Sequence, residues 1–183
     1  MTVDQRDQTA IEREARKAVK LDRGPFRKLS CRMHRRIYRL TGGRVGGRLD
    51  SASGVRPILL LETTGRKTHR KRSTPLVYLR EGDTWLVAGS NAGRDSDPGW
   101  VWNLRADPHA AITIGREVIA VQATELDDAE AEAMWPALDA MNAQYREYQK
   151  LTERTVPVVR FGRRGTSGRS QGPMTSTTPT SMS

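Results

Sequence analysis

The sequence predicts an α+β protein whose core is a meandering antiparallel sheet with flanking helices. Three observations lead there. Apolar runs of strand length, Ile58–Leu61, Leu76–Leu79 and Trp85–Ala88, are separated by turn residues rather than by helical stretches. The connections Glu81-Gly82-Asp83 and Gly115-Arg116 are too short for a crossover, so the strands beside each must pair antiparallel, which argues against a Rossmann sheet. Helix-start signals, Asp97-Pro98 and Asp127 with Glu130, interrupt the strands without alternating regularly with them.

The chain has 183 residues, enough for one domain with a real core plus appendages, and 36% hydrophobic content. A mean hydropathy of −0.66 predicts a soluble chain, and a pI near 10.4 with a net charge of +10 predicts an anionic partner. Nucleic acid, a phospholipid surface and a phosphate- or carboxylate-bearing ligand all satisfy that charge. Cys31 is the single cysteine, so neither a disulfide nor a cysteine-rich zinc site is expected, and His34, His69 and His109 lack ligand spacing. No metal is expected. The charged start, Met-Thr-Val-Asp-Gln-Arg-Asp, has no signal-peptide core and no later run approaches membrane-spanning length, so a cytoplasmic location is expected.

In order along the chain, Met1 to Asp22 carry only a thin apolar stripe, and residues 1–24 are expected to be frayed or disordered. Residues 25–49 comprise a basic amphipathic helix and a connector. Phe26, Leu29, Met33, Ile37 and Leu40 recur at three and four residues, with Arg27, Lys28, Arg32, Arg35, Arg36 and Arg39 opposite. That cationic face either stays solvated or meets anionic lipid. Gly42-Gly43 caps the helix, and Gly46-Gly47 leads into the core domain, 50–161.

Pro57 to Glu62 is the first core strand, Thr74 to Leu79 the second, and Thr84 to Gly89 the third, antiparallel to the second. Asp97 is expected to cap a helix with Pro98 at its first position and Trp100, Val101 and Leu104 on its apolar side, ending before Pro108. Ala111–Ile114 and Glu117–Thr124 form a hairpin, with Val118, Ala120 and Gln122 in alternation. A capping box at Asp127 starts a helix that Pro136 kinks or divides, and Tyr145 and Tyr148 then share one helical face. Thr155 to Arg160 reads as a last strand, placed on an edge by Pro157, and 162–183 is a Gly/Ser/Thr/Arg tail expected to be disordered.

The chemistry concentrates in the loop Arg66-Lys67-Thr68-His69-Arg70-Lys71-Arg72, which joins two core strands. It reads either as a solvated hairpin or as a clamp for an anionic ligand, with N–H groups of the Ser90–Gly93 turn and a helix start nearby as further donors. No Gly-x-Ser-x-Gly elbow, His-Glu-x-x-His or P-loop is present, and the Gly42–Gly47 cluster lacks the strand a dinucleotide fingerprint needs. A nucleic-acid-binding module is disfavoured, because the basic helix has no interleaved stacking aromatics and the tryptophans sit at apolar-periodic positions.

An ordered set of motifs then narrows the choice: Leu60-Leu61-x-Thr63-Thr64-Gly65-Arg66-Lys67-Thr68, Arg72-x-x-Pro75-Leu76, Ser90-Asn91-x-Gly93, Pro98-x-Trp100-x-x-Asn103-Leu104, Tyr145-x-x-Tyr148-Gln149 and Thr152-x-Arg154-x-x-Pro157-Val158-Val159. From Ile37 to Val159 the chain resembles the deazaflavin-dependent nitroreductase family, oxidoreductases that use coenzyme F420, an 8-hydroxy-5-deazaflavin. The resemblance implies a split β-barrel like that of flavin reductases, in agreement with the antiparallel meander. It also implies that Arg66, Lys67, Thr68, Arg72, Ser73, Thr74, Pro75, Leu76 and Val77 lie near the coenzyme's phosphate and tail. Ala88, Gly89, Ser90 and Asn91, with Gly99, Trp100, Val101, Trp102 and Asn103, match positions beside the deazaflavin, and Tyr145 and Tyr148 match tyrosines over the substrate. The implied reaction is hydride transfer from the reduced deazaflavin to a quinone, an enone or a nitroaromatic, with Ser90, Tyr145 and Tyr148 as candidate donors to the oxygen that gains charge. A split barrel holding FMN, FAD or haem is the alternative within the same fold. The basic helix beside a quinone-sized pocket suggests a lipid-borne acceptor and a peripheral position on the inner face of the plasma membrane.

Overall fold

The computed structural model describes Thr9, Ala10, Arg13, Lys17, Tyr38, residues 47–51 and residues 54–165. The first four are helical and exposed, and Tyr38 is helical and buried. The rest of the basic amphipathic segment and the tail beyond 165 lie outside the described residues. Eight strands follow: β1 (Arg48–Ser51), β2 (Gly54–Thr64), β3 (Lys71–Val77), β4 (Leu79–Glu81), β5 (Thr84–Ala88), β6 (His109–Ile114), β7 (Glu117–Glu125) and β8 (Val158–Arg163). Helix α1 (Gly99–Ala106) lies between β5 and β6, while α2 (Asp128–Met141) and α3 (Gln144–Gln149) lie between β7 and β8.

Every strand pairing is antiparallel, in the order β3-β2-β6-β7-β8-β5-β4, with β1 also on β2. The two ends of this path, β3 and β4, are separated in the chain by Tyr78 alone. The sheet therefore has to curl until its edges approach, giving a split β-barrel with a seam at Tyr78. That seam corrects one expectation. The stretch Thr74–Leu79 is not a single strand paired with the next one; it divides at Tyr78, and β5 pairs with β4 rather than β3.

Strand β8 corrects a second. It runs to Arg163 and lies between β7 and β5, not on an edge. Pro157 precedes the ladder, where its missing N–H is not needed, and its carbonyl accepts the Gly89 N–H at 2.7 Å. In β7 the inward face is Ile119, Val121 and Ala123, leaving Val118 69% exposed. Asp97 does not cap α1 either. Pro98 takes the N-cap position without a side-chain cap, because the Asp97 carboxylate is held by Arg105 and Arg154 at 2.7 and 2.8 Å. The capping box at Asp127 forms with Glu130 as expected, and Pro136 does not divide the 14-residue α2.

Alternation explains which faces are covered. Leu59 and Leu61, Trp85 and Val87, Ile119 and Val121, Val159 and Phe161 point into the barrel, where Trp100, Val101 and Leu104 of α1 join them. On the outer face of β5 and β8, Leu86, Ala88 and Val158 pack against Leu138, Tyr145 and Tyr148 of α2 and α3. On the outer face of β2, Ile58 and Leu60 pack with Tyr38. Strands β2 and β5 are buried on both faces, which is why their sequences read as unbroken apolar runs. The Tyr38 hydroxyl shares its hydrogen between the Ile58 and Thr113 carbonyls, both 3.2 Å away, and accepts the Gly115 N–H at 3.1 Å, so Tyr38 is tied to the barrel through its phenol.

Candidate active site

The basic loop between β2 and β3 is narrower than its sequence suggests, because Lys71 and Arg72 already belong to β3. Its corner is Gly65, whose N–H donates to the Arg70 carbonyl at 2.9 Å and whose carbonyl accepts from Thr68 and His69 at 3.1 and 2.7 Å. A Cβ at Gly65 would sit 2.8 Å from Thr68 Oγ1 and 3.2 Å from the Arg70 carbonyl, so no other residue fits this turn unchanged. Asn103 of α1 braces the loop from across the barrel mouth: its Oδ1 accepts the Arg66 N–H at 3.1 Å and its Nδ2 donates to Thr63 Oγ1 at 3.0 Å. Arg72 donates to Thr68 Oγ1 at 3.3 Å.

This loop forms one wall of a cleft of about 860 Å³. Arg66, Lys67, Thr68 and Arg72 line that wall, Thr74, Pro75, Leu76 and Ala88 line the strand side, and Ser90 and Asn91 begin the wall opposite. Gly99, Trp100, Trp102 and Asn103 complete it from α1. The ring of Trp102, 44% exposed, carries the Arg66 and Arg105 guanidinium carbons over it at 5.6 and 4.8 Å from its centroid. Of the remaining residues read from the sequence, Ser73, Val77, Gly89 and Val101 do not line the cleft, and Val77 packs instead with Tyr38, Ile58 and Leu60.

Charge sets what the cleft accepts. Among the described residues, Arg66, Lys67, Arg72 and Arg94 line it against a single acidic side chain, Asp97, which is already paired with two arginines. A cationic, half-open cleft with Trp100, Pro75 and Leu76 on its walls suits an anionic ligand with a flat aromatic portion. The volume lies within the range of about 300–1,000 Å³ usual for cofactor sites. The residues present therefore fit a phosphorylated deazaflavin.

Tyr145 and Tyr148 are placed elsewhere, in the apolar cluster between the sheet and α2, and neither lines the cleft. The Trp135 and Tyr145 rings meet edge to face at 6.1 Å. Arg56, 2% exposed, donates from one terminal nitrogen to Asn142 Oδ1 and, at 3.0 Å, to Gln144 Oε1, which also accepts the Tyr148 hydroxyl at 3.1 Å. Burial pushes the Tyr145 phenol up to about 12, against a hydrogen bond with Asn142 and the Arg56 charge, so it stays protonated at neutral pH. Sequence reasoning assigns no role to Arg56, Asn142 or Gln144, nor to Arg94 and Ser96 in the cleft. The one signal that points to the first is its place in the sequence, an arginine two residues before the apolar run Ile58–Leu61, in what the fold shows to be the start of β2.

The comparisons with known proteins agree with this geometry. The F420H(2)-dependent quinone reductase family model matches residues 30–161. An F420H(2)-dependent quinone reductase of Mycobacterium tuberculosis is 40% identical over 136 residues, covering 73% of this chain and 89% of that protein. A second, putative F420H(2)-dependent quinone reductase of the same species is 32% identical over 103 residues, covering 56% and 87%. Among solved structures, an F420-H2 dependent reductase superposes with a TM-score of 0.54 at 34% identity, covering 58% of this chain and 94% of that one. With a fitting cleft, the barrel around it and a family model spanning both, the chain belongs to the F420H(2)-dependent quinone reductase family, oxidoreductases whose cofactor is coenzyme F420.

Proposed function

We propose that the acceptor reduced by this protein is a quinone carried in lipid, and that the Ser90 hydroxyl is the principal donor to the quinone oxygen that gains charge. The observation that carries the reading is the pairing, across one cleft, of a cationic Gly65-cornered loop with a wall that begins at Ser90. Coenzyme F420 held there in its reduced form would supply the hydride. The chain's own contribution is positional and electrostatic. Arg66, Lys67 and Arg72 would hold the anionic end of the ligand, while Pro75, Leu76 and Trp100 would supply the apolar lining beside it. Ser90 offers its hydroxyl to the acceptor oxygen as hydride arrives, and a solvent proton completes the quinol. Enones and nitroaromatics present the same electron-poor unsaturated centre and belong to the same assay.

Turnover of reduced coenzyme F420 with menadione, followed by recovery of deazaflavin absorbance, tests this directly. The wild type should oxidise the reduced coenzyme with menadione and remain inactive with NADPH. Ser90→Ala should lower turnover by about tenfold to a few hundredfold at unchanged coenzyme affinity, the usual cost of one lost donor. Tyr145→Phe and Tyr148→Phe are the comparison. If either phenylalanine variant loses turnover while Ser90→Ala does not, the donor is a phenol and the buried network opens toward the cleft during the reaction.

The lipid reading rests on the cationic residues interleaved with apolar ones in the sequence from Phe26 to Leu40. It implies a peripheral position on the inner face of the membrane, with each Lys or Arg near an anionic surface contributing about 1 kcal/mol. Replacing Arg27, Lys28, Arg32 and Arg35 with glutamine should then abolish partition to phosphatidylglycerol vesicles at low salt while menadione turnover persists. Deleting the whole segment is a poorer test, because it also removes Tyr38 from the barrel. Wild-type protein that ignores such vesicles would end the membrane reading.

A further inference from the structure

The wall that begins at Ser90 is held by a residue outside the cleft. Strand β5 ends at Ala88, and the segment from Gly89 to Asp97 has no ladder to define it. Asn91, Ala92 and Gly93 all take positive φ, 48°, 54° and 70°. Two of the three carry a Cβ, and such a run persists only where its surroundings over-determine it. Local contacts contribute: the Asn91 side chain donates to the Ser96 carbonyl at 2.8 Å. Gly93 is pressed against α3 so closely that a Cβ would lie 2.9 Å from the Tyr148 carbonyl and 2.8 Å from Leu151 Cβ.

The Gly89 N–H is also held by the Pro157 carbonyl, but the restraint that touches the most points of the segment is the guanidinium of Arg154, whose side chain is 14% exposed and which does not line the cleft. Its Nε donates to the Arg94 carbonyl at 2.8 Å. One terminal nitrogen donates to Asp97 Oδ1 at 2.8 Å and to the Thr155 carbonyl at 3.3 Å, and the other to the Gly89 and Ser90 carbonyls at 2.9 Å each. All five N–H groups of the side chain are thus engaged, three of them on carbonyls of this one segment. The anchor is itself anchored. Asp97 Oδ2 accepts from Arg105 at 2.7 Å, and Arg105 grips Glu125 of β7 with two bonds of 2.7 and 2.6 Å.

We propose that Arg154 is a positioning residue for hydride transfer, setting the Gly89–Asp97 wall against which coenzyme and acceptor are aligned. The proposal rests on the reading that coenzyme F420 occupies this cleft. Peptide planes are rigid and trans, so fixing the Gly89 and Ser90 carbonyls on one guanidinium also fixes the opposite direction of the Ser90 and Asn91 N–H groups and the departure angle of the Ser90 side chain. It also keeps electron-rich carbonyl oxygens turned toward Arg154 and away from an anionic ligand. Lysine has the charge but neither the planar fork nor five donors, so it cannot reproduce the arrangement.

The test compares full-length wild type with Arg154→Lys, Arg154→Gln and Asp97→Asn. The measurements are thermal midpoint, coenzyme F420 affinity by fluorescence, kcat and KM with menadione, and coenzyme-induced shifts of the Ser90, Asn91 and Arg66 amides in 15N spectra. Misplacing one wall should lower kcat by about tenfold to a hundredfold. Coenzyme affinity should change less than about threefold, since Arg66, Lys67 and Arg72 still hold the anionic end. The Ser90 and Asn91 amides should lose their coenzyme-induced shifts while Arg66 keeps its own, and Arg154→Lys should not rescue. Should Arg154→Gln fail to fold, Arg154→Lys and Asp97→Asn carry the same comparison. Full kcat with unaltered amide shifts in any folded Arg154 variant, or complete rescue by lysine, overturns the proposal. A wild type that does not bind coenzyme F420 overturns the cleft reading instead, a separate outcome.

Discussion

Changing Arg66, Lys67 and Arg72 together to glutamine is expected to weaken coenzyme F420 binding by about a hundredfold and to flatten its salt dependence. All three line one wall of the cleft. Charge-assisted hydrogen bonds to an anion are worth about 1.5–3 kcal/mol each when protected, but these side chains are exposed, and screening reduces each to about 1 kcal/mol. Three such losses give roughly two decades in affinity. Turnover at saturating coenzyme should fall little, since the proposed reading assigns these groups to the anionic end of the ligand and not to the reacting ring. The measurement is coenzyme affinity at several salt concentrations. An affinity that stays within about threefold of wild type, with the same salt slope, would place the anionic end elsewhere in the cleft.

Phe161→Ala is expected to remove about 3–5 kcal/mol of folding stability, the cost of deleting a large aromatic side chain from a packed core. Phe161 is fully buried, points into the barrel, and sits in β8 opposite Trp85 on one side and Ala123 on the other. Strand β8 joins two parts of the sheet, so a cavity there loosens both β5 and β7. Against a total of about 5–15 kcal/mol for an ordinary domain, the variant should lie close to unfolding at physiological temperature. Urea denaturation of both proteins, monitored by tryptophan fluorescence, gives the difference from the shift in midpoint at constant slope. A shift corresponding to less than about 1 kcal/mol would mean that Phe161 is not in the core as described.

Much of the site is legible in the sequence. Arg66, Lys67, Arg72, Ser90, Asn91, Trp100 and Asn103, drawn from three separate stretches of the chain, converge on one cleft. The order and spacing of the motifs single them out, together with the basic run joining two strand-like segments. Asp97 shows the limit of local rules: an aspartate before a proline is a plausible cap, yet two arginines outcompete the helix N–H groups for its carboxylate. Pro157 shows another, since proline is excluded from a central ladder but not from the residue before it. Tyr145 and Tyr148 share a helical face, as their spacing predicts, but which neighbour that face meets depends on how α3 is laid against the sheet.

Local sequence is enough for the antiparallel meander, the helix begun by the capping box at Asp127, the charge of the ligand and the family. The meander and the helix depend on turn length, side-chain period and capping, which neighbouring residues specify; the ligand's charge follows from the basic loop, and the family from the ordered motifs it resembles. Three features emerge only once the chain is folded: the sheet ends meet at Tyr78, β8 lies between β7 and β5, and Arg154 holds the wall opposite the basic loop. Arg154 is about sixty residues away in sequence from the carbonyls of Gly89, Ser90 and Arg94 that it grips. No local periodicity encodes such a contact; it arises when curling of the sheet brings the segment before β8 alongside the end of β5.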